Sequence, residues 1–86
     1  MYDQAGALMA AGKYEEAGGV LERFLKAAPD HPRAADARAQ RAIAASRLGQ
    51  YEPALSMIEA AAKDASAMTP AVRAALSYER DRKSVV

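Results

Sequence analysis

The sequence predicts an all-α fold, a right-handed solenoid of antiparallel helix hairpins in which two hairpins are followed by a capping helix. Three observations lead to this prediction. The chain repeats itself with a period of 37 residues, alanine makes up roughly a quarter of it, and glycine and proline recur at helix-length intervals. Alanine has the highest helix propensity, and glycine and proline are typical of helix ends. At 86 residues the chain is expected to form one domain, residues 1–86.

The internal repeat is the most specific signal in the chain. A shift of 37 residues places the segment Gly12–Ala17 on Gly49–Ala54, so a glycine, a tyrosine and an alanine recur in step. The same shift pairs other identical residues, namely Ala5 with Ala42, Ala7 with Ala44, Glu22 with Glu59 and Lys26 with Lys63. Alanine richness alone does not produce this match, so the sequence contains a duplicated unit.

The first unit, about residues 1–29, is predicted to form two helices. The first covers residues 2–11 and ends at Gly12, which suits the left-handed turn after a helix. The second covers residues 14–28, where apolar residues recur every three or four positions. It ends before Pro29, because the residue preceding a proline disfavours helical geometry. A pair of glycines, Gly18 and Gly19, lies inside this helix; either a neighbouring helix approaches closely there, which we expect, or the helix bends.

The second unit, about residues 32–65, repeats the arrangement. A helix over residues 32–48 is predicted to begin at Pro32 and to end at Gly49. A helix over residues 51–63 follows, with Pro53 in its first turn, where a missing N–H is harmless. The earlier of the two helices carries alanine on nearly every side, which predicts neighbours on both of its faces.

The remainder of the chain is predicted to close the stack. A looser stretch over residues 64–68 leads to Thr69, a good N-cap, and to Pro70, a good first helical residue. A capping helix over about residues 70–83 follows. Its charged run, Glu79–Lys83, indicates a polar outer end.

Composition excludes several classes of function. Twelve basic and eleven acidic residues give a net charge of +1, which indicates neither a nucleic-acid-binding nor an anionic-membrane-binding surface. No segment reaches the roughly 20 apolar residues of a membrane span, and the N-terminus of this chain does not have the pattern of a signal peptide. Cysteine is absent, which is compatible with both the cytoplasm and the periplasm, so the sequence leaves the compartment open.

Catalytic and metal-binding motifs are absent from the sequence. The single histidine, His31, has no cysteine or second histidine near it and is expected to be an exposed turn residue or a helix cap rather than a ligand. No nucleophile motif, phosphate loop or zinc-binding helix motif occurs. We therefore expect a protein that is not an enzyme and that holds no cofactor.

These residues resemble the tetratricopeptide repeat over nearly the whole chain. Its pattern of a small residue in the first helix, a Gly-x-Tyr turn, an alanine, a bulky residue and a closing proline is matched by Ala5, Gly12, Tyr14, Ala17, Leu21 and Pro29, and again by Ala42, Gly49, Tyr51, Ala54 and Ile58. The period of 37 is longer than the family's 34. This period and the phrasing of Phe24–Pro32 are similar to the extended repeats of bacterial Tol–Pal coordinator proteins.

The resemblance implies a partner-binding concave face, lined by the first helix of each hairpin. By position that face holds Tyr2, Gly6, Met9, Asp36, Ala39, Ile43, Ser46 and Arg47, with Arg73, Leu76 and Arg80 from the capping helix. The candidate partner-binding residues are Tyr2, Met9, Asp36, Ile43, Arg47, Arg73 and Arg80. The alternative is that Tyr2, Met9 and Ile43 only pack between helices. Chaperone-tail clamps have asparagine where Gly6 and Ile43 stand, so that partner class is not expected.

The sequence thus predicts a protein-interaction module that binds a peptide or helix of a protein partner, as part of a larger bacterial protein. A self-associating assembly element is the alternative, because repeat arrays usually need about three units and this chain has fewer. A third hypothesis is an adaptor for acidic partners or nucleic acid through the arginine-rich helix that contains Arg33, Arg38, Arg41 and Arg47.

Overall fold

A computed structural model describes residues 2–84 of the chain, without the side chains of Tyr51 and residues 82–84. Its five α-helices are α1 (Tyr2–Ala10), α2 (Tyr14–Ala27), α3 (Ala34–Arg47), α4 (Tyr51–Ala62) and α5 (Pro70–Ser84). A short 3₁₀ turn, Ala65–Ala67, precedes α5. No strand occurs within these residues. The predicted all-α fold is confirmed, and the helices begin and end within two residues of their predicted limits.

Both hairpin turns have the same backbone geometry, 37 residues apart. Gly12 and Gly49 have φ angles of +78° and +83°. The Gly12 N–H donates to the Met9 carbonyl at 3.1 Å and the Lys13 N–H to the Leu8 carbonyl at 2.9 Å. At the second turn, the N–H groups of residues 49 and 50 donate in the same way to the carbonyls of residues 46 and 45, both at 3.1 Å. Each turn is therefore a Schellman motif, which requires the left-handed conformation that glycine adopts without strain.

The start of α3 differs from the prediction. The helix begins at Ala34 and not at Pro32, which lies in the preceding turn. The exposed His31 accounts for the shift, since its Nδ1 accepts the Arg33 N–H at 3.0 Å and its carbonyl accepts the Ala34 N–H at 2.9 Å. Its ring also stands edge-on to Phe24, with centroids 5.0 Å apart. His31 is thus an exposed residue of the turn before α3, one of the two roles that the sequence suggested, and the N-cap of α3 is Arg33.

The core consists of two apolar clusters with α3 between them. One, which we call the first interface, joins α1 and α2 to α3; its buried members are Ala5, Val20, Leu21, Phe24 and Ala37. The other, the second interface, joins α3 and α4 to α5; its buried members are Ala35, Ala39, Ala42, Ile43, Ile58, Ala61, Met68 and Leu76. Ten of the fourteen residues of α3 are buried, which confirms the predicted contacts on both of its faces.

The glycine pair in α2 does not mark a close helix contact. A Cβ atom placed on Gly18 or Gly19 would meet nothing within 4 Å. The expectation that a neighbouring helix approaches there is wrong. Gly18 and Gly19 instead border an open groove of about 370 Å³, whose lining also includes Arg41, Leu48 and Met57.

Candidate protein-interaction face

The candidate residues of α1 lie half-buried beside α3. The Tyr2 hydroxyl accepts a hydrogen bond from Gln40 Nε2 at 3.3 Å, and its ring lies 5.8 Å from that of Phe24. Burial, with the negative charge of Asp36 as a second cause, raises the pKa of the Tyr2 phenol above its ordinary value. Met9 packs against the buried residues of the second interface. Both residues therefore contribute to helix packing and keep part of their surface free.

Gly6 lies between these two residues on α1 and leaves space on the surface. A Cβ atom at this position would contact nothing within 4 Å, and the residue is half-buried. Residues 2, 6 and 9 share one side of an α-helix because they are spaced four and three apart. We call this partly exposed side of α1 the α1 trough; it has an aromatic ring at one end, a glycine in the middle and a thioether at the other.

An open depression of about 560 Å³ adjoins the Tyr2 end of this trough. It is lined by Tyr2, Asp3, Phe24, His31, Arg33, Asp36 and Thr69. These residues come from α1, α2, α3 and the turns that precede α3 and α5, so the depression mixes two aromatic rings and an imidazole with charged groups of both signs. Such a lining suits a polar segment of a peptide better than a purely apolar ligand.

Asp36 lies beneath α5 and acts as the cap of that helix. Its side chain is 2% exposed, and its Oδ1 accepts the Thr69 backbone N–H at 2.9 Å. Oδ2 lies 3.5 Å from Arg33 Nη1. An acidic group at a helix N-terminus satisfies a free backbone N–H and interacts favourably with the helix dipole. Asp36 is therefore occupied by the chain's own backbone.

Ile43 is likewise covered. It is 8% exposed and belongs to the same cluster as Leu76 of α5. A partner does not reach Asp36 or Ile43 while α5 stays in place. Leu76, which the sequence assigned to the concave face, is 2% exposed and points into that cluster.

Ser46 and Arg47 meet Glu79 at the other end of α5. Glu79 is 1% exposed, Ser46 Oγ donates to its Oε2 at 3.0 Å, and Arg47 Nη2 lies 2.6 Å from its Oε1. A buried carboxylate needs such partners, because removal of a charge from water is costly unless it is paired. Arg47 keeps 37% of its side chain exposed, so its guanidinium joins the buried carboxylate to the surface.

Glu79 was missed by sequence reasoning, which placed it at the polar outer end of the capping helix. That interpretation is wrong for this residue. The signal that could have revealed it is spacing, since Glu79 follows Val72 by seven residues and Leu76 by three, and thus shares the apolar side of α5. A carboxylate on an apolar side usually has a specific partner.

Arg73 and Arg80 are exposed on α5. At 100° per residue, both lie about a quarter turn from the side that carries Val72 and Leu76. Tyr78, which is 59% exposed, lies on the opposite flank of the same helix. α5 therefore presents cations on one flank and an aromatic ring on the other.

Neither a metal-binding cluster nor a membrane-spanning helix occurs in the described part of the chain. Among residues 2–84, no three His, Cys, Asp or Glu side chains stand close enough together to hold a metal ion. Within the same residues, no helix has the length and apolar character of a membrane span.

Comparison with known proteins is consistent with this architecture. Residues 1–40 match the family model of the tetratricopeptide repeat. The match covers α1, α2 and the first half of α3. No curated protein and no solved structure is significantly similar to the chain. The similarity to Tol–Pal coordinator repeats in particular is not tested by this match and stays a prediction.

Proposed function

We propose that this chain, whose residues 1–40 match the tetratricopeptide repeat family, is a protein-interaction module that binds a peptide or helix of a protein partner on its concave face. It acts by binding and not by catalysis. Tetratricopeptide repeats generally mediate interactions between proteins, which supports this proposal at the level of class. The binding surface combines the trough of α1 with the exposed cations of α3 and α5.

The observation that carries the proposal is the open trough at Gly6. Space beside the glycine, a half-buried tyrosine and a half-buried methionine offer apolar contacts that the chain itself leaves incomplete. Arg47 is partly exposed and Arg73 and Arg80 are exposed, so the surface favours a partner with apolar anchors and acidic groups.

A selection from a displayed library of 16-residue peptides tests the proposal. We expect peptides that combine apolar and acidic residues to be enriched, and their affinity to fall at least tenfold on Gly6→Gln. The added side chain fills the trough, while replacement of a helical glycine stabilises α1 by up to about 1 kcal/mol. The effect is therefore separable from unfolding.

Gly19→Gln is the matched control, because it has the same change in helix propensity and equally open surroundings on α2. It should leave peptide affinity unchanged. Equal loss in both variants, or no loss on Gly6→Gln, would contradict binding at the trough. Absence of any enriched peptide would contradict the interaction module itself.

Self-association is the second candidate function, and exposed apolar residues on α4 and α5 favour it. Tyr78 of α5 is 59% exposed and Leu55 of α4 is 39% exposed. Sedimentation equilibrium separates the two candidates. A dimer that dissociates on Tyr78→Ser and Leu55→Ser would support the assembly element, whereas a monomer up to millimolar concentration would exclude it.

A further inference from the structure

Helix α5 covers the positions of α3 that the family resemblance assigns to partner binding. Asp36, Ile43 and Ser46 are all buried at this contact. Each is linked to a different part of α5: Asp36 to the Thr69 N–H, Ile43 to the cluster that contains Leu76, and Ser46 to the Glu79 carboxylate. α5 therefore occupies this face of α3 along its length.

The features by which α5 occupies the face are few and regularly spaced. Val72 and Leu76 supply the apolar contacts, and Glu79 supplies a carboxylate to Ser46 and Arg47. These three residues stand at positions i, i+4 and i+7, which lie on one side of an α-helix. At the N-terminus of the helix, a free backbone N–H meets Asp36.

The two polar contacts make α5 more easily released than the helices of the first interface. Water can replace Asp36 at the Thr69 N–H and Ser46 at Glu79, so much of the gain from these hydrogen bonds is recovered on undocking. The apolar part of the contact is limited to Met68 and Leu76 as buried residues and Val72 as a partly buried one. The cluster on the other side of α3 is apolar, and the side-chain hydrogen bond beside it, from Gln40 to Tyr2, is only partly buried.

We propose that α5 is a displaceable occupant of this α3 face, and that the protein partner binds there through an amphipathic helix with apolar residues at i and i+4 and a glutamate at i+7. This inference rests on the proposed function and names the chemistry of its partner. The partner's glutamate pairs with Arg47 and Ser46, its apolar residues cover Ile43, and its first free N–H is capped by Asp36. α5 thereby keeps the face closed until a competing helix arrives.

The test uses the chain's own helix as the probe. A fluorescently labelled peptide of residues 68–84 is titrated against the full chain, against Glu79→Gln, and against Glu59→Gln as an exposed control. Glu79→Gln weakens the resident helix and leaves the α3 face unaltered. We expect the peptide to bind Glu79→Gln at least tenfold more tightly than the wild type, and Glu59→Gln to behave as the wild type does. An α5-exchanged dimer of Glu79→Gln, detected by sedimentation, equally supports a face that accepts a free helix.

Hydrogen exchange on the same samples decides the negative outcomes. If α5 amides of Glu79→Gln exchange at least tenfold faster than in the wild type and the peptide still does not bind, the proposal is overturned. It is also overturned if α5 stays as protected as in the wild type. Should Glu79→Gln unfold, Val72→Ser weakens α5 from its partly buried apolar side and is judged by the same two readouts.

The outcome is distinguishable from failure of the proposed function. Library peptides that bind in a Gly6-dependent manner, together with no binding of the residue 68–84 peptide, would overturn only the proposal that a partner binds the α3 face covered by α5. Binding of the residue 68–84 peptide without any enriched library peptide would support a face that accepts a free helix and would overturn the claim that a protein partner uses it.

Discussion

The two interfaces on α3 differ in chemistry although both join a helix hairpin to the next helix. The first interface is closed by alanine, valine, leucine and phenylalanine, and α3 packs there mainly against α2. The second interface has more buried apolar members but also has buried polar contacts at its ends, and α5 packs more on α3 than on α4. The two repeats of this architecture therefore have the same helix arrangement, but different interactions stabilise the first and the second interface.

The difference bears on which part of the chain opens first. Apolar burial is lost entirely when a helix leaves, whereas buried hydrogen bonds are exchanged for hydrogen bonds with water. The ion pairs that cross the first interface do not alter this comparison. Arg41 and Glu22, 3.7 Å apart, are both about 40% exposed and stabilise little. We therefore expect the first interface to hold the stack together and the second to open locally.

Removal of apolar volume from the first interface should have the largest effect. Leu21 is fully buried in its cluster, so Leu21→Ala is expected to reduce the free energy of unfolding by about 2–5 kcal/mol and to destabilise every helix. Urea denaturation followed by far-UV circular dichroism measures this. Leu55→Ala, at a 39% exposed position, is the control and should cost less than about 0.5 kcal/mol. Similar losses in the two variants would break the comparison.

Loss of the cation at the second interface should have a smaller and local effect. Arg47→Ala leaves the buried Glu79 carboxylate without its guanidinium, and we expect α5 to lose about 1–2 kcal/mol of protection in native-state hydrogen exchange. The helices of the first interface should keep theirs. Arg38→Ala, which removes an exposed 3.6 Å pair with Asp64, should change neither. Equal loss of protection in α2 and α5 would mean that the two interfaces open as one unit.

Substitutions of Gly12 and Gly18 should have the smallest effects on the free energy of unfolding. Since nothing lies within 4 Å of a Cβ at Gly18, Gly18→Ala is expected to raise the free energy of unfolding by up to about 1 kcal/mol. Gly12→Ala should lower it by about 1–2 kcal/mol, because alanine is strained at a φ of +78°. Thermal unfolding of the two variants measures both. A loss on Gly18→Ala would show that the glycine pair serves the packing of α2 after all.

Sequence reasoning predicted the helices and both hairpin turns because their determinants are local. A glycine at a left-handed position, a proline that ends a helix and an apolar period of three to four act within a few residues. The start of α3 was missed by two residues, because residues 31–33 form a turn in which the Arg33 N–H donates to His31 Nδ1. That contact depends on a rotamer, which no pattern in the sequence specifies.

The candidate site was predicted less completely, because its contacts join residues that are far apart in the chain. Asp36 and Thr69, and likewise Ser46 and Glu79, are 33 residues apart. The family resemblance placed Asp36 and Ile43 on the concave side of α3 but did not reveal that α5 covers them. Glu79 was not recognised as buried because it belongs to the charged run at the end of α5. A run of acidic and basic residues indicates a solvent-exposed segment unless the register of the helix is known.

The two Schellman turns do not depend on the side chains of Lys13 and Gln50. At both turns the fold is held by main-chain carbonyls and N–H groups around Gly12 and Gly49, and Lys13 and Gln50 contribute only their backbones to those bonds. We therefore expect the turns to tolerate substitutions at residues 13 and 50, whereas they require the two glycines. The duplicated halves of this protein could therefore diverge in surface chemistry without losing the hairpin that each inherited.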